Sequence, residues 1–394
     1  MWRQILYKTH LWLGIVSGIV LFIVCLSGML LVFRWEIIQI FEHDKYSSVS
    51  TSEILPLNID ELVAKVEQHT NGKISIIYTE NRSNGMKNYI MCIKTENNKN
   101  LKTEHQFCSI DPYTGEISDK NFSLLAIFFY IITKLHTSLF LPNPIGRMVV
   151  GSATLIFIIV ALSGLGLWFP ANFHNTKAWK NSFLVRFRKG KHSLIFNLHK
   201  TLGFYVLIPM LLMALTGLMW SFQWYCNSVA MILNVPTPHS YNKVKSSPQN
   251  PDAQRLALDF FDKKADELFA PHKEVNRNIY LPEHENDPVM MMGWHQGIWN
   301  STWGLDRIQF DQYTGEVLQF DQFDKFSIGR KIVTMFPFIH YGSFFGLPTK
   351  IIYFLACLIT TTLPITGVSI WWRKLRNLRK AQTHKITENQ QKSA

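Results

Sequence analysis

Charge is missing where this chain is most apolar. No Asp, Glu, Lys or Arg interrupts residues 11–33, 148–169, 202–222 or 351–372. Ion- or proton-coupled transport relies on acids inside such segments, so their absence disfavours a transporter. The five cysteines include no C-x-x-C and no C-x-x-C-H. That rules against a thiolate zinc site, an iron–sulfur cluster and a covalently attached c-type haem. No G-x-G-x-x-G follows a strand-like run and no Walker loop occurs, so neither a nicotinamide nor an ATP site is encoded.

Each uncharged run is long enough to cross a hydrocarbon core of roughly 30 Å as a helix. Four spans are the simplest expectation. The first run exceeds the about 7–15 residues of a signal peptide's apolar region. "FRWEIIQIF" follows it in place of a cleavage site, so it is expected to stay as a permanent anchor. The formal net charge is +12, unevenly placed. Residues 171–200 carry seven Lys or Arg and no acid, and the tail from Arg373 carries seven more against Glu388 alone. With Arg3 and Lys8 they make one side basic, the positive-inside pattern that sets both termini and the middle loop in the cytoplasm. A nucleic-acid partner is not expected, because no DNA- or RNA-binding pattern accompanies the charge.

Two large segments then face outward, and both end in one phrase. "SIDPYTGEIS" (Asp111 to Glu116) returns as "QFDQYTGEVL" (Asp311 to Glu316). Asp, Thr and Gly in that order read as a tight turn between strands, with Gly at positive φ; it shapes the fold and does no chemistry. Cys92 in "YIMCIKT" and Cys108 in "HQFCSIDP" flank a polar turn, and the spacing alone leaves open whether they bridge. The membrane segments repeat as well. His10, Gly14, Ser27-Gly28 and Trp35 recur 189 residues later as His199, Gly203, Thr216-Gly217 and Trp224. His136, Gly164 and Trp168 correspond to His340, Gly367 and Trp371. With two spans per half, the halves enter the membrane in the same direction, as parallel repeats about an axis along the membrane normal.

This ordered duplication, with H-x-x-x-G opening a span, S/T-G before its end and two D-x-Y-T-G-E phrases, resembles the PepSY-associated transmembrane family. Within that family it is similar to inner-membrane ferric-siderophore reductases, over nearly the whole chain. The resemblance implies a multi-pass protein of the bacterial inner membrane. Its fold would be a membrane α-helical bundle of four spans, two parallel repeats of two, with two α+β periplasmic PepSY-like domains. On that plan 1–35 is the first span, 36–120 the first periplasmic domain, and 121–170 an interfacial segment with the second span. Residues 171–198 form the basic cytoplasmic loop, 199–225 the third span and 226–330 the second periplasmic domain. An interfacial segment and the fourth span occupy 331–373, and 374–394 is a basic cytoplasmic tail.

Most of the 14 histidines sit in polar context. His10, His199, His136 and His340 do not. A lone histidine at a helix end is usually an interfacial residue, but duplication about a normal axis brings His10 and His199 face to face. Two neutral imidazoles so opposed are the axial ligands that a b-type haem needs. Gly14 and Gly203 lie four residues on, on the same helical face. They would let a flat macrocycle approach the backbone, or serve helix packing as small residues often do. His136 and His340 follow amphipathic runs, "LLAIFFYIITKLH" and "KIVTMFPFIH", and precede prolines, and the residues alone leave their role open. The resemblance implies that they ligate a second haem.

Taken together, the resemblance implies two bis-histidine b haems, with His10, His199, His136 and His340 as ligands of the haem iron and no catalytic side chain. Electrons would come from a separate donor, a cytoplasmic reductase or quinol. They would reduce a ferric siderophore or other periplasmic Fe(III) chelate and release Fe(II). Lys8 and Lys200 inside, and Arg147 and Lys350 outside, are available to haem carboxylates or as snorkelling anchors. In "VMMMGWHQGIWNSTWG", strand alternation separates the methionines and disfavours a copper site with His295. There Trp294, Trp299 and Trp303 read as an aromatic lip for a bulky ligand. A second class of function stays open: a non-catalytic, membrane-anchored PepSY binding or regulatory protein without cofactor, which would tolerate His10→Ala.

Overall fold

The computed structural model describes residues 1–42, 56–81, 87–97, 102–118, 124–187, 190–236, 243–247, 253–269, 274–296 and 302–392. The chain opens with α1 (Trp2–Leu31) and the short α2 (Arg34–Glu42). An outer segment follows, made of α3 (Ile59–Thr70), β1 (Lys73–Asn81), β2 (Lys87–Asn97), β3 (Lys102–Ile110) and β4 (Ile117–Ser118). Next come α4 (Leu124–Ser138), α5 (Ile145–Trp168) and, in the basic loop, α6 (Thr176–Phe183). The second half starts with α7 (Lys191–Tyr205), α8 (Leu207–Gly217) and α9 (Gln223–Leu233). Its outer segment is α10 (Leu258–Phe269) with β5 (Glu274–Tyr280), β6 (Val289–Gln296), β7 (Thr302–Phe310) and β8 (Val317–Asp321). The chain closes with α11 (Ile328–Tyr341) and α12 (Leu347–Lys392).

Among the described residues α1, α5 and α12 are each long and apolar enough to cross a membrane, and a fourth crossing exists if α7 and α8 count as one span. The third apolar run reads in the sequence as a straight helix over residues 202–222. In the structure helix begins earlier, at Lys191, and bends by 58° between Tyr205 and Leu207. Pro209 is the cause: it has no N–H for the Tyr205 carbonyl, and its ring crowds that carbonyl, which opens the helix one turn upstream. α12 in turn runs past the apolar stretch into the basic tail, because "RKLRNLRKAQ" is rich in helix formers and holds no Gly or Pro. α1 packs between α5 and α12, α4 lies on α1, and α11 lies on α8.

The two outer segments form one eight-stranded antiparallel sheet, in the order β4-β3-β2-β1-β5-β6-β7-β8. They share one core, in which Leu62, Val66, Ile77, Met91 and Ile110 of the first half meet Phe261, Ala265, Ile279, Met291 and Phe310 of the second. The seam is the pairing of β1 with β5, where Tyr78 lies opposite Asn278 and Ile77 opposite Ile279. Each half alone would leave that edge of backbone donors and acceptors unpaired, and joining them removes it. Cys108 lies opposite Met91 while Cys92 lies opposite Phe107. The two cysteines are therefore one register position out, and the side chain of Cys92 lies outside the described residues. Met290, Met291 and Met292 alternate along β6 and are all buried, with Met291 in the shared core. Trp299 lies outside the described residues, as do the side chains of His295 and Trp303.

Both D-x-Y-T-G-E phrases are tight turns. Asp111 and Asp311 each accept amide hydrogen bonds from the residues two and three ahead, and Gly115 and Gly315 adopt φ of 66° and 72°. Asp311 also accepts from the Ser246 hydroxyl at 2.9 Å and the Ser247 amide at 3.1 Å. Burial alone raises its pKa, but the amides of Thr314, Tyr313 and Ser247 and the Ser246 hydroxyl outweigh it and hold the carboxyl below its ordinary range. The stabilisation is thus fully present above the unfolded carboxylate value of about 3.9 and is lost as pH falls through the lower folded value. Asp311→Ala is expected to cost about 2 kcal/mol, since it strands buried donors, and Asp311→Asn less. Urea unfolding of the detergent-solubilised protein, followed by Trp fluorescence at pH 7 and at pH 3, checks this: the gap between parent and Asp311→Ala should narrow at the lower pH.

Candidate functional site

The four singled-out histidines form two pairs in the helical bundle. His10 on α1 and His199 on α7 have ring centroids 6.1 Å apart, and His136 on α4 and His340 on α11 have theirs 6.3 Å apart. Each pair joins the two halves of the chain. His10 and His199 are each the ninth residue of their helices, so the two sit at equivalent depth. His136 and His340 occupy the last turns of the two helices that lie against α1 and α8. Cys25, Val206, Met210, Ala356 and Cys357 form a buried apolar cluster in the bundle. α1 rises about 27 Å from His10 to Gly28, which faces His136 (1.5 Å per residue).

All four rings are held in one way. The Nδ1 of His10 donates to the Val160 carbonyl at 2.9 Å, beside the Ser163 hydroxyl at 3.3 Å. The His136 Nδ1 donates to the Val24 carbonyl at 2.9 Å, beside Ser27 at 3.2 Å. The His340 Nδ1 donates to the Met213 carbonyl at 2.9 Å, beside Thr216 at 3.2 Å. The His199 Nδ1 meets the Thr366 hydroxyl at 2.8 Å. A carbonyl only accepts, and each of these hydroxyls already donates to its own helix. The proton therefore sits on Nδ1 in every ring, and the Nε2 lone pair is left for another partner.

A glycine completes each holder. A Cβ added at Gly164 would come within 2.9 Å of the His10 Cε1, at Gly28 within 3.0 Å of the His136 Cε1, and at Gly217 within 2.8 Å of the His340 Cε1. At Gly367 the corresponding approach to His199 is 3.4 Å. The holders are "VCLSG", "VALSG", "MALTG" and "LPITG", one per apolar run. Each supplies a carbonyl, then a hydroxyl three residues on, then a glycine. The hydroxyls and glycines are visible in the sequence as four S/T-G pairs, but their function is not, because nothing local shows that a histidine from a different helix docks there. Within each half, the holder on one span serves the histidine of the other helices, so a half is a closed unit and the imidazole pairs join the two.

Gly14 and Gly203 behave differently. A Cβ there would meet only Val160 at 3.9 Å or Leu363 at 3.8 Å, ordinary contacts. Close helix packing does not require glycine at either position. Of the cations, Lys200 donates to the Ser182 hydroxyl at 2.8 Å and Lys350 pairs with Glu36, while Lys8 and Arg147 are exposed. Arg3 donates to the Phe169 and Leu167 carbonyls at 3.1 and 3.2 Å and so caps the end of α5. Among the described residues no three His, Cys, Asp or Glu side chains converge. Among the described residues a metal with a full set of protein ligands is therefore not provided for, and the two imidazole pairs are the groups that could hold one. Metal–imidazole bonds of about 2 Å set the two ring centroids roughly 6 Å apart, which is the spacing of both pairs.

No curated protein matches the chain. Residues 7–374 match the family model described as the PepSY-associated TM region, nearly the whole length that carries the spans, the holders and the sheet, and the chain belongs to that family.

Proposed function

We propose that the protein is a dihaem b-type electron carrier of the bacterial inner membrane, with four crossings and two PepSY modules fused into the periplasmic sheet. The observation that carries this reading is the matched geometry of two imidazole pairs, 6.1 and 6.3 Å between centroids, with all four Nδ1 groups committed to a holder. Such second partners orient an imidazole and raise its basicity as a ligand. A b haem in each pair would supply one-electron carriage from the basic, cytoplasmic side to the sheet side. The chain's own residues set the tautomer and keep the rings opposed. Gly14 and Gly203, which no protein neighbour requires to be glycine, leave room beside His10 and His199 for a flat ring.

On this reading the enzyme is a metal reductase. A separate donor, a cytoplasmic reductase or a quinol, delivers the electron. The acceptor is a periplasmic Fe(III) chelate such as a ferric siderophore: one electron converts Fe(III) to Fe(II), which hard oxygen ligands hold less tightly. No side chain needs to act as acid, base or nucleophile.

The dithionite-reduced minus oxidised spectrum of the purified protein is expected to show b-type bands for two haems per chain. Adding a ferric chelate to the reduced protein under anaerobic conditions should reoxidise both. A spectrum without haem bands would sink the proposal and leave the cofactor-free anchor.

A further inference from the structure

Among the described residues, three of the four unsatisfied polar atoms of the helical bundle gather at one place, the fourth being Thr360 Oγ1. Arg34 Nε, Glu36 Oε2 and Tyr353 Oη are buried without a hydrogen-bond partner. Buried polar atoms are normally paired, and each exception calls for a cause. α1 and α2 run antiparallel to α12 here: Gly28 faces Cys357, Phe33 lies 5.7 Å from Phe354 between ring centroids, and Glu36 pairs with Lys350. The three atoms therefore lie near one another along these helices, beyond Gly28 and its neighbour His136. Tyr341, next to His340 in sequence and 5.9 Å from it between rings, lies within electrostatic reach of Arg34.

The charges at this place do not balance. Among the described residues two cations, Arg34 and Lys350, face one acid, Glu36, and Lys350 takes it. The Arg34 guanidinium rests on the rings of Trp35 at 5.1 Å and Phe129 at 5.9 Å. Those contacts hold the group without satisfying its Nε, and a guanidinium presents a planar fork suited to a carboxylate. The second half has Gln223 at the position equivalent to Arg34, hydrogen-bonded to Asn227, so the feature is single-sided although the histidine pairs are symmetric.

We propose that Arg34 is an anion-binding residue that receives a carboxylate beside the His136–His340 pair. That carboxylate comes either from the cofactor resident there or from an incoming anionic chelate. The first source rests on the haem reading and the second does not. Glu36 competes for the same place: while it holds Lys350 it keeps the site to a single net positive charge.

The test uses the full-length protein in detergent, with Arg34→Gln, Arg34→Lys and Glu36→Gln, and two measurements. One is calorimetric titration with gallium(III) citrate, a redox-inert anionic carboxylate chelate. The other is the midpoint potential of each haem component by spectroelectrochemistry. If the carboxylate arrives with the chelate, Arg34→Gln weakens gallium citrate binding by about tenfold or more, as for a lost charge-assisted hydrogen bond. In that case Arg34→Lys retains only part of the binding, since an ammonium lacks the planar fork, Glu36→Gln strengthens it, and the potentials hold. If the carboxylate belongs to the cofactor, Arg34→Gln lowers the potential of one haem component, Glu36→Gln raises it, and citrate binding is unmoved. A folding defect would shift both variants in the same direction, and that result overturns the proposal, as does no change in either measurement. Protein that carries no haem refutes the haem reading but leaves the titration to decide for Arg34 on its own.

Discussion

Alanine at His10 or at His199 is expected to remove one b-haem equivalent and to leave the other in place. Alanine at both is expected to remove no more than either alone. The two imidazoles lie on α1 and α7 of opposite halves with centroids 6.1 Å apart, so they are ligands to one iron or to none. Either deletion leaves one histidine still clamped, by Val160 and Ser163 if it is His10 and by Thr366 if it is His199, and a haem would then have one protein ligand in place of two. One clamped imidazole cannot do the work of two, and the energies of groups acting as a unit do not add. His136→Ala and His340→Ala should behave as a second such set on the other component. The reduced-minus-oxidised absorbance, normalised to protein, reads the result: about half remains in each single variant of either set, and none when one ligand from each set is removed. Single variants of His10 and His199 that lose different components would refute pairing across the halves. Full haem in all four would refute ligation altogether. His174→Ala, in the basic loop outside both pairs, serves as the control and is expected to keep both components.

The pairing of His10 with His199 is legible from the sequence because it depends on a duplication, and duplicated spacings survive as text. The turn at Asp111 and its copy at Asp311 are legible for another reason: the chemistry of a tight turn is confined to six consecutive residues. Long-range facts are less accessible. The edges of β1 and β5 that fuse two outer segments into one sheet lie some two hundred residues apart. No local pattern states which of the exposed edges will meet. The bend at Tyr205 has a visible cause in Pro209, yet apolar periodicity alone makes residues 202–222 a single span, since hydropathy does not register a missing N–H. The S/T-G holders show both sides of this. Four copies mark them as important, but their purpose appears only once α4 is seen lying on α1 and α11 on α8.

Gly217→Ala should strip the haem from the His136–His340 pair, with the thermal stability of the cofactor-free protein unchanged or lowered. Two effects of opposite sign act at this residue. Gly217 ends α8 with φ of −64° and ψ of −31°, a helical conformation in which Ala is favoured over Gly by about 1 kcal/mol. The added Cβ, however, would stand 2.8 Å from the His340 Cε1 and 3.3 Å from its Nδ1. The ring has little room to retreat, with Trp220 at 5.2 Å and Tyr341 at 5.9 Å between centroids. It must leave the Met213 carbonyl and the Thr216 hydroxyl, and overpacking of this kind costs about 1–3 kcal/mol where the neighbour stays. Without its holder the imidazole loses both tautomer and direction, a change worth about 10–100-fold in metal affinity. Gly164→Ala should do the same to the His10–His199 pair, since its Cβ would lie 2.9 Å from the His10 Cε1. Gly367→Ala, at 3.4 Å from His199, should keep most of its haem, and Gly28→Ala, at 3.0 Å from His136, should fall between. The order of haem loss is thus Gly217 and Gly164 first, then Gly28, then Gly367. It is read from b-band absorbance beside thermal melts followed by circular dichroism with the cofactor removed. Haem retention in Gly217→Ala equal to that in Gly367→Ala would show that the holders do not govern the ligands, because the two positions differ chiefly in the space left to the imidazole.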